Sequence, residues 1–195
     1  MKGRNCYLEK YKNSGDTRQL ILTEYEGDCR ATLELWTKGA DGEWQLKLKT
    51  GAFTGKAGVG RAAENDSKTP LGDFGLGCAF GIKPDPGSLL PYIPVDEHIY
   101  CCGDREHYNR IIDIRDYPHQ CSGEHMADFA PEYNYGIFFD YNKEGIHGLG
   151  FAIFLHCKGE KNYTGGCIAI EEEALKLILQ NVDSGARICI FETEE

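Results

Sequence analysis

A mainly β fold is predicted by three observations. Short segments near the start alternate apolar and polar residues between Gly, Asn and Asp punctuation. An apolar run of strand length, FAIFL (Phe151–Leu155), lies in the last third. A single segment, after Cys167, has helical features.

The predicted strands begin with Gln19–Tyr25, Ala31–Thr37 and Glu43–Lys49. In ATLELWT, Leu33 and Leu35 alternate with Thr32 and Glu34; in EWQLKLK, Trp44, Leu46 and Leu48 alternate with polar residues. Both read as half-buried antiparallel strands joined by the turn Lys38–Gly42. From Ile82 to Tyr133 periodicity fades while prolines and aromatics accumulate, and an irregular cover over a cleft is expected there. FAIFL reads as a strand buried on both faces and ending on His156. After the loop Cys157–Gly166 come Cys167–Ile170, a helix from Glu171 to about Val182 with acidic residues in its first turn, Gly185 as a stop, and a closing strand Arg187–Phe191. The Glu194-Glu195 end reads as a solvated tail.

With 195 residues and 41% hydrophobic content, the chain supports one sizeable core, and a single domain over 1–195 is expected. The formal charge of -10 and the lack of a Lys/Arg run argue against nucleic acid as a partner. No apolar stretch approaches the roughly 20 residues of a membrane-spanning helix. The polar opening has no apolar secretion segment, so the chain is read as cytoplasmic or as a mature segment after removal of a targeting sequence.

Nine cysteines leave at least one unpaired in any disulfide framework. The vicinal Cys101-Cys102 pair, near His98 and His107, lacks the two-residue gap that turns both sulfurs toward one ion, so ordinary thiols and no metal are expected there. A thiol acts as a nucleophile only as thiolate, which requires a neighbouring base and donors for the oxyanion. The segment HCKGEKNYTGGC contains such parts: His156 leaving a rigid strand, Cys167 returning to face it, and Gly165 and Gly166 permitting a tight turn and close approach of a substrate carbonyl. On these residues alone, a buried structural Cys167 and a hydrogen-bonded strand-end His156 remain the alternative.

The string IFLHCKGEKNYTGGCIAI resembles the signature of the L,D-transpeptidase family, a His at a strand end followed by a Ser/Thr-x-Gly-Cys element, here Thr164-Gly165-Gly166-Cys167. TGKAGVG (Thr54–Gly60), KTPLGDFGLGCAFG (Lys68–Gly81) and REHYNRIID (Arg105–Asp113) resemble its Gly-rich turn, its Thr-Pro-x-Gly strand start and a Tyr-Asn element of one branch. The resemblance spans roughly residues 19 to 191. It departs from the family at Gly165, where most members have a second His, at Ala169, where they have Arg or Asn, and in a shorter His-to-Cys interval.

The resemblance implies a mostly antiparallel β-sandwich or barrel-like catalytic fold with a helix after the nucleophile. It implies Cys167 as nucleophile, His156 as base, the N–H of Cys167 with that of Gly166 as oxyanion donors, and the Cys157 carbonyl as the group orienting the His ring. Peptidoglycan stem tetrapeptides would be the substrate, the cell envelope the location, and no metal or organic cofactor would be needed. Tyr92, Tyr108, Thr164 and Gly165 are the expected substrate-pocket residues, with Thr164 also suited to holding the turn, and Glu124-His125 is a further candidate. The competing expectations are an L,D-carboxypeptidase of the same fold and an inactive peptidoglycan-binding module, followed by a papain-like cell-wall endopeptidase, in which the Cys would precede the His, and, weakest, a structural zinc protein.

Overall fold

The computed structural model describes residues 3–192; the Glu194-Glu195 tail lies outside them. A short helix α1 (Arg4–Lys10) precedes β1 (Gln19–Gly27), β2 (Arg30–Lys38), β3 (Trp44–Phe53), β4 (Gly72–Gly81), β5 (Tyr92–Pro94), β6 (Ile99–Cys102), β7 (Arg110–Asp113), β8 (Glu124–His125), β9 (Gly136–Phe139), β10 (Phe154–Cys157) and β11 (Ile168–Ile170). Helix α2 (Glu172–Leu179) and β12 (Arg187–Glu192) follow. The large sheet runs β12, β1, β2, β3, β11, β10, β9, β4, β5, and β12 also pairs with β4, so the sheet closes on itself with β5 outside the ring. Pairing is antiparallel except at β1/β12, β10/β11 and β4/β5. The expected mainly β, barrel-like architecture is the one found.

Closure explains the burial. Ile21, Leu33, Leu35, Ile188 and Ile190 face one core with Leu175, Ile178 and Leu179 of α2. On the outer face Leu20, Leu22, Cys189 and Phe191 are covered by Tyr7, Leu8 and Tyr11 of and beside α1. β1 is therefore buried on both faces. The expected alternation in β3 breaks at Lys47, because Leu35 pairs with Leu48 while Trp36 pairs with Leu46. This bulge places Leu46 on the outer face, 46% exposed.

Two other elements differ from expectation. The strand predicted over FAIFL begins three residues later, because Ala152 has a positive φ of 56° and gives its N–H to Asn109 Oδ1 at 3.1 Å. The strand also runs one residue past His156, to Cys157. The helix stops at Leu179, and Val182 reaches the core from the turn that follows. The stretch 82–133 is more regular than expected: β7, β6 and β8 form a separate three-stranded sheet. Between it and the large sheet lies a second core of Phe80, Val95, Ile99, Cys101, Met126, Tyr133, Phe154 and Cys167.

Candidate active site

Parallel pairing of β10 with β11 sets Leu155 beside Ile168 and His156 beside Ala169. Alternation then places Phe154, His156, Cys167 and Ala169 on one face, with Cys167 and His156 diagonal to each other, about 7–8 Å between Cα atoms. His156, Cys167 and Ala169 all line a cleft of about 530 Å³.

The turn that delivers Cys167 is tied on three sides. Thr164 N–H donates to Thr54 C=O at 2.9 Å, and Lys56 N–H donates to Thr164 C=O at 2.9 Å. The hydroxyls of Thr164 and Thr69 both donate to the Cys167 carbonyl, at 2.7 and 3.1 Å. Thr69 Oγ1 also accepts the Gly55 N–H at 2.8 Å. The Gly-rich segment and the Thr-Pro segment, distant in sequence, thus both brace the turn that carries Cys167. Gly166 adopts φ +142°, and a Cβ there would stand 2.6 Å from Arg61 Nη1 and 2.8 Å from the Lys68 carbonyl. Gly166→Ala is therefore expected to lower both thermal stability and turnover, measured by a thermal melt and an activity assay on the same sample.

The Cys167 thiol donates to the Ala152 carbonyl at 3.2 Å, and its sulfur accepts the Phe154 N–H at 3.3 Å. Burial pushes this thiol up to about 12, Glu124 pushes the same way, and the Phe154 N–H and Arg61 oppose them. Burial also lowers the His156 pKa, with the Cys157 carbonyl opposing that shift. The resting pair is accordingly a neutral thiol and a neutral imidazole. His156 Nδ1 lies 2.7 Å from the Cys157 carbonyl, which has no proton to give. Nδ1 therefore carries the ring proton and donates it, leaving Nε2 as the basic nitrogen.

Several expected pocket residues are placed elsewhere. Tyr92 lies on β5, its hydroxyl donating to the Lys83 carbonyl at 2.7 Å and standing over Gly81, away from the cleft. Tyr108 sits one layer behind: its hydroxyl donates to Glu64 at 2.8 Å and its ring packs on Phe151, and those two residues line the cleft. Thr164 and Gly165 line it, with Thr164 engaged in holding the turn. The Gly166 N–H is committed to Thr164 Oγ1 at 3.0 Å, which leaves the Cys167 N–H as the oxyanion donor to consider from this turn. Of the Glu124-His125 pair only Glu124 faces the cleft; His125 pairs with Asp128 at 2.9 Å.

Arg61, Glu124, Tyr133 and Asn109 complete the surroundings. The Arg61 side chain, 4% exposed, pairs with Asp66 at 3.3 Å and donates to the Lys68 and Gly165 carbonyls at 3.2 and 3.4 Å. It brings a cation to the cleft of a chain that has Ala169 where an Arg or Asn is usual. Tyr133 meets the His156 ring edge to face at 5.7 Å and donates a short hydrogen bond to Glu124, whose carboxyl is raised by burial. Asn109 has φ +61°, a conformation Asn tolerates better than most residues. Its amide donates to the Tyr141 and Asn142 carbonyls at 3.0 and 2.9 Å and accepts from Ala152, the residue whose carbonyl holds the thiol. Asn109→Ala strands these groups, and a loss of about 1–3 kcal/mol for each one left unpaired is expected in denaturant unfolding.

A family model for the L,D-transpeptidase catalytic domain matches residues 32–190. The chain belongs to this family. Similar solved structures include an L,D-transpeptidase from Mycobacterium smegmatis, at 14% identity and TM-score 0.42, covering 90% of this chain and 59% of that one. Mycobacterium tuberculosis L,D-transpeptidase 1 is 11% identical with TM-score 0.41, covering 90% and 63%. L,D-transpeptidase 3 of the same organism, in complex with a faropenem-derived adduct, is 14% identical with TM-score 0.41, covering 89% and 60%. The chain spans about three fifths of the length of these structures. Comparison with curated proteins gives no match. Among the described residues, no helix of this L,D-transpeptidase family member is long and apolar enough to cross a membrane.

Proposed function

We propose that the chain is a cysteine-dependent peptidoglycan L,D-transpeptidase of the cell envelope, acting on stem tetrapeptides through a thioester on Cys167. The observation that carries this reading is the shared cleft face of Cys167 and His156, with Nδ1 anchored on the Cys157 carbonyl and Nε2 basic. His156 Nε2 takes the thiol proton as sulfur attacks the carbonyl of the L-centre to D-centre peptide bond. The Cys167 N–H stabilises the oxyanion, and collapse breaks the C–N bond as His156 returns the proton to the departing D-alanine amine. An acceptor amine then attacks the thioester, forming the new amide and restoring the thiol.

The cleft suits a substrate bearing both charges and apolar stems: Arg61, Lys161, Glu64, Glu124 and Glu132 line it together with Phe129, Tyr133, Phe151 and Tyr163. Incubating the protein with a synthetic stem tetrapeptide and following products by mass spectrometry tests the assignment. A cross-linked dimer is expected; tripeptide plus D-alanine without dimer would instead identify an L,D-carboxypeptidase, and no product from any stem variant would leave a binding module.

The neutral imidazole also sets the pH response. Activity requires unprotonated His156, whose pKa is lowered from 6.5 by burial, so the acid limb of kcat/KM is expected to have its midpoint below 6.5. A pH–rate profile with its acid midpoint above that value would contradict the assignment of His156 as the base.

A further inference from the structure

The side chains of Cys102, Asp104, His119 and Cys121 come together beside the small sheet, and none of the four lines the cleft. One donor atom from each lies within 4.8 Å of all the others. Cys102 Sγ is 3.5 Å from His119 Nε2 and 3.7 Å from Asp104 Oδ2, and Nε2 is 3.5 Å from that same carboxylate oxygen. Four ligands at the usual zinc distances of about 2.0–2.3 Å form a tetrahedron with edges of about 3.3–3.8 Å. The three separations among Cys102, Asp104 and His119 fall in that range, and Cys121 Sγ lies within 4.8 Å of each of them.

The groups behind these atoms point them inward. His119 Nδ1 lies 2.7 Å from the Tyr117 carbonyl, so it carries the ring proton and turns Nε2 toward the cluster. The Asp104 carboxylate is fixed by the Ser122 hydroxyl at 2.7 Å and the Ser122 N–H at 3.0 Å. Each sulfur accepts a backbone N–H, Cys102 from Asp104 and Cys121 from Gly123, both at 3.4 Å. Alternation along β6 buries Cys101 in the core beside Cys167 and turns Cys102 the other way, so the vicinal pair does not act as a unit. Neither His98 nor His107 contributes to the cluster.

We propose that Cys102, Asp104, His119 and Cys121 bind one zinc ion as a closed structural site. Two sulfurs, one imidazole and one carboxylate are a donor set suited to tetrahedral zinc rather than to the all-oxygen ions magnesium or calcium. The ion joins the end of β6 to the loop before β8, and β8 carries Glu124 into the cleft. The site thus pins the cover in place and takes no part in bond making.

The test is metal content of the full chain, purified under reducing conditions without a metal-affinity step. About one zinc per chain is expected, retained in Cys6→Ser and Cys167→Ala and lost in Cys121→Ser and His119→Ala. Removing zinc from the unmodified protein and adding cobalt(II) is expected to give sulfur-to-cobalt charge-transfer absorption and strong visible bands of tetrahedral cobalt. Chelation is expected to lower the thermal midpoint. Absence of both bound zinc and the cobalt spectrum in the reduced protein would overturn the proposal. So would undiminished zinc in the His119→Ala and Cys121→Ser variants, or a Cys102–Cys121 disulfide in freshly purified protein that carries no metal.

Discussion

Cys167→Ala is expected to reduce turnover of a stem tetrapeptide by about 10³-fold or more and to leave the fold intact. The sulfur is the only atom at this position able to form the acyl-enzyme, and the remaining eight cysteines do not line the cleft. Removing it strands the Phe154 N–H and the Ala152 carbonyl, so stability falls by about 1–3 kcal/mol. Circular dichroism separates this modest loss from the loss of turnover. Cys167→Ser, which keeps a weaker hydrogen-bonding nucleophile in place, is expected to recover stability and little activity.

His156→Ala is expected to lower kcat by about 10²–10⁴-fold. With the Cys167 thiol pushed up to about 12, almost no thiolate exists near neutrality, and the thiol proton must leave as the C–S bond forms. The residual rate of the variant should rise with pH well past neutrality as hydroxide and the thiolate fraction replace the missing base. His156→Gln keeps a donor toward the Cys157 carbonyl and serves as the packing control; it is expected to be as inactive as the alanine variant but more stable. Stability carries the same signature in the unmodified protein. His156 is buried neutral with its folded pKa below the unfolded 6.5, so its contribution is complete above 6.5 and is lost as pH falls from there through the folded value. The His156→Gln variant should lack that part of the pH dependence of unfolding free energy.

The first three strands were legible because two-residue periodicity survives in ATLEL and EWQLK and because QLILTEY is an apolar stretch of strand length, with boundaries shifted by at most four residues. β4 was legible only through the Thr-Pro-x-Gly resemblance, because glycines at 72, 75, 77 and 81 break any alternation of its own; a Cβ on Gly81 would collide with the Tyr92 hydroxyl and the Asn134 carbonyl. The small sheet was hidden by brevity, since β6 to β8 are two to four residues each and are defined by partners, not by their own patterns.

In the site, the His–Cys spacing was visible in the sequence, since it depends on one local strand-turn-strand segment, and the Cys157 carbonyl was implied by the family resemblance. Arg61 was not, because its position comes from a turn 104 residues before Gly165, and neither was the part played by Asn109, which acts through Ala152. The Tyr-Asn element was a usable signal: its Tyr lies behind the cleft while its Asn holds the strained residue that receives the thiol. Tyr92 was misplaced because an aromatic in a cover segment packs equally well into a sheet edge.

The most direct test of the account is intact-mass and peptide-mapping analysis of the unmodified protein mixed with a stem tetrapeptide in the absence of an acceptor amine. The predicted result is a covalent tripeptidyl adduct on the peptide containing Cys167, released by thioester-cleaving hydroxylamine and absent from Cys167→Ala. Product formation that persists in Cys167→Ala, or an adduct located on another residue, would contradict it.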